Sequence, residues 1–324
     1  MNVLVTGGSG FIGRHLVAHL IARGYSVTNF DIVAPAEPSQ QPCWRQGSIL
    51  DAEALVSCFR EVRPRHVVHL AALAVMDGKS LDDFRANTDG TANVLAAVRT
   101  VGGVDRLVVT STQHVRVPGS GPPASDDDYV PYMLYGESKV ITERLTRSAG
   151  LPGHWTLIRP TAVWGPHHPN LVSGLWGLIH RGLYVHPSGD PVVRSYGYVK
   201  NVAWQIERIL SLPASATQGR TLYVGDENAR QMDWVNGFAR ALTGRNVRTV
   251  PLWTLRTLAL FGDGVRACGF GFPMYGSRLF NLITSNPVPM QPTFDLLGRG
   301  PVSMEEGIRE TSTWLLQQYQ KREA

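Results

Sequence analysis

Cysteine is scarce in this chain, and the three present, Cys43, Cys58 and Cys268, show no paired spacing. An odd count without close pairs argues against both a disulfide framework and a zinc site, so no metal is expected. Long apolar runs are missing too. The nearest, 251–261 and 269–275, are interrupted and fall short of the roughly 20 residues needed to span a bilayer. They read as lid or interface segments, with contact at a membrane surface as the alternative and no insertion. Charge is sparse at 18% of residues, and the net +5 is spread without a basic cluster. That balance suits anionic small molecules and gives nucleic acid nothing to bind. An apolar strand pattern starts one residue after Met1. No signal peptide is read there, and a cytoplasmic location is expected. Repeats and low-complexity segments are lacking as well.

What the chain does have is 324 residues with 43% hydrophobic content, enough for one large core or two unequal ones. It opens Asn2-Val3-Leu4-Val5-Thr6-Gly7-Gly8-Ser9-Gly10-Phe11-Ile12-Gly13. A β-branched run breaking into glycines and then into an apolar-periodic stretch predicts strand, tight turn and helix. Gly7 suits the turn, Gly10 admits main chain close to a diphosphate, and Gly13 lets helix pack on strand. The helix N-terminus then offers free N–H groups to the anion. A second strand, 26–31, ends in Asp31, whose carboxylate suits ribose hydroxyls and repels a 2′-phosphate. The pair predicts a dinucleotide site preferring NAD to NADP.

Strands are predicted at 3–6, 26–31, 66–70, 107–110 and 156–159, alternating with helices from Phe11, Asp51, Leu81 and Tyr132. Asp51 is a natural N-cap. The alternation predicts an α/β fold, a Rossmann-type doubly wound parallel sheet with ligands at the carboxyl ends of its strands. After Pro160 glycine, proline and aromatic residues become frequent. We read a nucleotide-binding domain over 1–165, also receiving 196–225. A smaller, partly interleaved C-terminal substrate lobe covers 166–195 and 226–324 and closes with a helix over 304–319.

Tyr135-Gly136-Glu137-Ser138-Lys139 places a phenol and an ammonium on one helix face. A nearby ammonium favours the phenolate, and the lysine also suits a ribose. The strand at 107–110 delivers Thr110, Ser111 and Thr112 to the sheet edge, where a hydroxyl completes the set. His167 and His168 point apart as neighbours in a loop, and Asp126-Asp127-Asp128 reads as a solvated loop.

Together these motifs resemble the extended short-chain dehydrogenase/reductases, specifically the NAD-dependent epimerase/dehydratase family. The likeness also rests on His69-Leu70-Ala71-Ala72, Asn87-Thr88-Asp89-Gly90-Thr91-Ala92-Asn93 and Thr110-Ser111-Thr112-Gln113-His114-Val115. It continues in Arg159-Pro160, Val163-Trp164-Gly165-Pro166, Arg194-Ser195-Tyr196-Gly197-Tyr198-Val199 and Leu297-Gly298 to Glu306-Gly307. The resemblance implies catalysis by Tyr135, Lys139, Thr112 and Ser111. It implies an NAD site of Gly7, Gly10, Phe11, Ile12, Gly13, Asp31, Ile32, Ser48, Ile49, Leu70, Ala71, Ala72, Asn87, Tyr135, Lys139, Pro160 and Val163. It gives Gln113, His114, Ala162 and Arg194 to substrate, Arg194 gripping a diphosphate. A homodimer through helices around 81–100 and 132–148 is implied too.

Departures from the pattern bear on activity. Ser48 stands where relatives carry an adenine-binding Asp, and Ala162 where nucleotide-sugar enzymes carry Asn, which is closer to the steroid-dehydrogenase branch. Gln113 and His114 replace the Asp-Glu pair of 4,6-dehydratases, and no cysteine falls in the 3,5-epimerase position. The leading expectation is a nucleoside-diphosphate-sugar epimerase working by transient oxidation and re-reduction. The alternatives are a dehydrogenase or ketoreductase of a sugar or sterol-like alcohol, and a non-catalytic dinucleotide sensor.

Overall fold

The computed structural model describes residues 1–151, 154–170, 172 and 174–323, which separate into two units. The first comprises Met1–Val163, Gly197–Asp226 and Val288–Pro301, and the second Trp164–Tyr196, Glu227–Pro287 and Val302–Ala324.

In the first unit the elements alternate as the pattern predicts. They are β1 (Asn2–Thr6), α1 (Phe11–Ala22), β2 (Ser26–Asp31), β3 (Trp44–Gln46), α2 (Ala52–Val62), β4 (His66–His69), α3 (Asp89–Val101), β5 (Arg106–Thr110), α4 (Met133–Ser148) and β6 (His154–Pro160). A seventh strand, Thr221–Val224, pairs with β6, giving a sheet ordered Thr221–Val224, β6, β5, β4, β1, β2, β3. Every pairing in it is parallel. Strand order reverses at β1 and β4, and a ligand crevice forms at the carboxyl side of that switch point.

Burial on both faces explains the apolar strands. In β1, Val3 and Val5 join Leu16, Val17 and Leu20 of α1 and Ile206 of the helix Val199–Ser211. Leu4, between them, points the other way into Leu55, Phe59, Val94 and Val98 of α2 and α3. The period of two thus sorts one strand between two cores. Asp51 caps α2, its carboxylate accepting from the Ala54 N–H at 3.0 Å.

Two expectations need correcting. The helix predicted from Leu81 is a single 3-10 turn, Leu81–Phe84, and α3 begins only at Asp89. A Ser80–Asp83 capping box and the fully buried Phe84 ring hold that turn inward as a separate piece. Residues 288–301, expected in the lobe, belong to the first unit. There Val288 and Met290 pack on Tyr223, and the Thr293 hydroxyl donates to the Tyr223 carbonyl at 2.6 Å. The apolar side chains and that bond cover the last strand's outer edge.

The second unit has an aromatic centre. Trp176 and Phe238 lie 3.9 Å apart and Tyr196 stacks on Trp234 at 4.1 Å between ring centroids. Trp164 meets Trp234 and Phe238 edge-on. The helix Leu252–Ala267 packs Leu255 and Ala259 against Leu279 of the helix Gly276–Ile283. No helix among the described residues is long and apolar enough to cross a membrane.

Candidate active site

The β1–α1 turn is built for a close backbone approach. Gly7 has φ +74°, and a Cβ there would lie 2.6 Å from the Ala71 nitrogen. A Cβ on Gly13 would lie 2.1 Å from the Gly7 carbonyl oxygen, so turn and helix meet with no side chain between them. Gly10 takes the N-cap in extended geometry, and no side chain caps the first turn that carries Phe11 and Ile12. Its N–H groups and positive dipole end face outward for an anion.

At the end of β2 the Asp31 carboxylate accepts from Ser9 N–H at 2.9 Å and Val33 N–H at 3.0 Å. It is thereby fixed beside the glycine turn. Ile32 is exposed, whereas Ile49 is buried against Gly90, so its side chain serves the core. Ser48 accepts from Leu50 N–H at 3.2 Å. At the end of β4, Leu70 and Ala71 are half-buried beside Gly7, and Ala72 is exposed.

Helix α4 carries the reactive pair. It starts at Met133, whose φ of +58° is left-handed and unusual for a side chain of that size. Two residues on, the Tyr135 ring lies 6.2 Å from Phe84 and 6.3 Å from His114 between centroids. Thr112, whose hydroxyl accepts from His114 N–H at 3.2 Å, stands beside the Tyr135 phenol. Burial pushes the phenol's pKa up, and the Thr112 hydroxyl opposes that rise. The depression expected from Lys139 is therefore not what dominates at this phenol. One turn on, Lys139 is buried and its ammonium donates to the Thr110 carbonyl at 2.9 Å. Burial lowers its pKa to about 8, against the pull of the Glu143 carboxylate.

Gly136 explains how α4 comes so close to Thr112. A Cβ there would sit 2.3 Å from the His114 carbonyl oxygen. Ser138 and Thr142, on the buried face, clasp Asn87. Asn87 Nδ2 donates to Ser138 Oγ at 2.9 Å, and Thr142 Oγ1 donates to the Asn87 carbonyl at 2.6 Å. The Asn87 amide also accepts from Leu73 N–H at 2.7 Å and donates to the Leu73 carbonyl at 3.0 Å. Asn87, expected to touch the cofactor, is fully buried and spends its amide on fastening that loop to α4.

Ser111 is the other correction. Its hydroxyl donates to Glu143 Oε1 at 2.5 Å, away from Tyr135. Glu143, fully buried, also accepts from Tyr129 at 2.8 Å and from Arg159 Nε and Nη2, both at 2.8 Å. Burial opposes the Arg159 charge, but the hydrogen bonds and charge of Glu143 outweigh it and raise its pKa. This network was missed in the sequence, although 135, 139 and 143 share one helix face at spacings of four. Arg159-Pro160 was seen only as a motif. His69, hydrogen-bonded to Thr6 at 2.8 Å and Thr91 at 3.1 Å, is held neutral by burial and by Lys139, its pKa lowered to about 3.

Of the remaining candidates, Gln113 is buried with its Oε1 unpartnered, Pro160 ends β6, and Ala162 and Val163 lie in a separate short strand, Ala162–Trp164. Arg194 lies in the second unit, where its Nη2 donates to the Thr284 carbonyl at 3.2 Å.

A glycine turn on a switch-point strand, an acid ending β2 and a Tyr–Lys–Thr set define a dinucleotide-dependent oxidoreductase fold and site. Residues 3–225 match the model of the NAD dependent epimerase/dehydratase family, and the chain belongs to that family. Among curated proteins it is similar to 3 beta-hydroxysteroid dehydrogenase/Delta 5→4-isomerase of Mycobacterium tuberculosis, 35% identical over 198 residues. That match covers 56% of this chain and 52% of the relative, so the chain spans about half of that protein's length. Human sterol-4-alpha-carboxylate 3-dehydrogenase (decarboxylating) is 28% identical over 307 residues, 90% of this chain and 76% of the relative. In structure the chain is similar to Thermus thermophilus UDP-glucose 4-epimerase in complex with NAD. That TM-score is 0.72 at 26% identity, covering 98% of this chain and 99% of the other.

NAD is the cofactor of this family, and the residues here fit it. The Gly7–Gly13 turn packs backbone on backbone where no Cβ fits and leaves the first turn of α1 uncapped, Asp31 would meet a ribose beside it, and Lys139 would meet the other.

Proposed function

We propose that the chain oxidises and reduces a secondary carbinol carbon, with Tyr135 moving the hydroxyl proton. The observation that carries this is the buried Lys139 one turn after Tyr135, bonded to the Thr110 carbonyl at the end of the strand that leads to Thr112. NAD, when bound, supplies a reversible hydride acceptor. Gly7, Gly10, Gly13 and Asp31 would hold its diphosphate and adenosine ribose, and Lys139 its second ribose. Tyr135 takes the proton from the substrate hydroxyl and returns it on reduction, as the phenolate that Lys139 and the positive charge of a bound nicotinamide would favour against burial. Thr112 stands beside the phenol, while Phe84 and His114 wall its ring. Glu143 and Ser111 act through position, keeping α4 and the end of β5 in register.

For the substrate we favour an apolar, sterol-like secondary alcohol turned over with net consumption of NAD. Ala162 lacks the polar head that a sugar phosphate needs, and Arg194 already serves Thr284 within its own unit. The human sterol dehydrogenase also aligns along most of the chain, including residues of the second unit. A nucleoside-diphosphate-sugar epimerase is the second reading, favoured by the end-to-end likeness to a UDP-glucose 4-epimerase. The homodimer through helices around 81–100 and 132–148 belongs to both readings.

The test is a panel of hydroxysterols and UDP-sugars with added NAD. NADH accumulating with the sterols supports the first reading, whereas epimer formed without net NADH supports the second. In either case Tyr135→Phe lowers turnover about 100- to 10,000-fold while NAD still binds. Near-normal turnover in that variant rejects the role given to Tyr135.

A further inference from the structure

The helix Leu252–Ala267 is apolar on two opposite sides. Its inner side, Leu255 and Ala259, is buried in its own unit. Positions 253, 257, 260, 261 and 264 recur at spacings of three and four and form the outer face. On that face Trp253 is 67% exposed, Leu260 74% and Phe261 63%. Phe270, just beyond the helix, is 70% exposed. A surface helix normally turns polar residues outward, and one apolar all round is normally covered. Four of its large apolar side chains, Leu258 included, are exposed instead.

Charge along this stretch of the sequence is one-sided, while in space Arg256 shares a pocket with Asp190, Asp233 and Arg230. Between residues 245 and 280 the chain has five arginines, 245, 248, 256, 266 and 278, against the single acid Asp263. Asp263 is engaged by the Gly276 N–H at 3.1 and 3.2 Å. The Arg266 guanidinium stacks 4.0 Å over the Tyr275 ring, a cation resting on an aromatic plane. Aromatic and leucine side chains on one face, flanked on the same helix by Arg256, make an interfacial helix, too short at 16 residues to span a bilayer.

We propose that this face docks on the surface of an anionic phospholipid bilayer, with Trp253, Leu260, Phe261 and Phe270 entering the headgroup boundary and the arginines meeting lipid phosphates. A second copy of the chain is a poorer occupant. A two-fold contact through this patch would set arginines against arginines. The inference does not depend on which alcohol the active site accepts.

Co-sedimentation of the full chain with phosphatidylglycerol/phosphatidylcholine vesicles tests it. Binding is expected to the mixed vesicles and not to pure phosphatidylcholine, and to weaken with salt. Each arginine replaced among Arg256→Gln, Arg266→Gln and Arg278→Gln is expected to weaken partitioning roughly fivefold. The triple variant Trp253→Ser, Leu260→Ser, Phe261→Ser is expected to abolish it while keeping its NAD-dependent thermal shift. Absence of vesicle binding at low salt overturns the proposal. So does equal binding to neutral vesicles, binding that survives both sets of substitutions, or a dimer that the apolar triple variant dissolves.

Discussion

Tyr135 and Lys139 stand one turn apart, yet each meets a different neighbour, Thr112 beside the phenol and the Thr110 carbonyl at the ammonium. That difference is readable through pH. The Lys139 pKa falls from 10.5 to about 8 on folding, chiefly through burial. Between those values the unfolded chain holds a proton that the folded chain has released. Stability of the protein without NAD should therefore rise with pH across that window, by about 1.4 kcal/mol per unit from this group. Urea unfolding midpoints of wild type and Lys139→Met from pH 7 to 10 check it. The expected outcome is that this part of the rise is lost in the variant. At this scale the sequence was legible where spacing alone decides, as for the glycines, Asp31 and the Tyr–Lys pair. It was not legible for Ser111, because its direction is set by Glu143, 32 residues away.

Helix α4 is the element on which the site depends, and it is secured at two levels. Near its start Gly136 admits the His114 carbonyl, so Gly136→Ala must push the helix or that loop aside. We expect stability to fall by about 1–3 kcal/mol, as in an overpacked core, and turnover to fall more steeply than NAD affinity. Thermal unfolding together with a kcat and KM split measures this. Further along, Glu143 neutralises Arg159 in a site closed to water. Glu143→Gln leaves a buried guanidinium without its counter-charge and should cost about 3–5 kcal/mol, seen as an earlier denaturant midpoint. The helix itself was legible, expected from Tyr132 with Tyr135 and Lys139 on one face. Its strained entry at Met133 and the break before α3 were not, because both answer to tertiary contacts rather than to local preference.

At the scale of the whole chain, the first unit is assembled from three separate stretches. The alternation up to residue 160 announces a parallel sheet that 196–225 is expected to rejoin, and the looser pattern beyond hides that 288–301 covers the strand at 221–224. A fragment of residues 1–165 keeps six strands but loses the helix Val199–Ser211 and the strand beside β6. It should give a compact but unpacked state, with strand and helix signals in the far ultraviolet and no fixed near-ultraviolet spectrum. A cooperative, well-dispersed fragment contradicts this.

The late arrival of that seventh strand has a consequence during synthesis. Ribosomes add on the order of 5–20 residues each second, so β6 emerges several seconds before the partner that shields its open backbone. Throughout that interval the nascent chain shows a bare β-edge beside a half-finished apolar layer, open to pairing with a neighbouring chain.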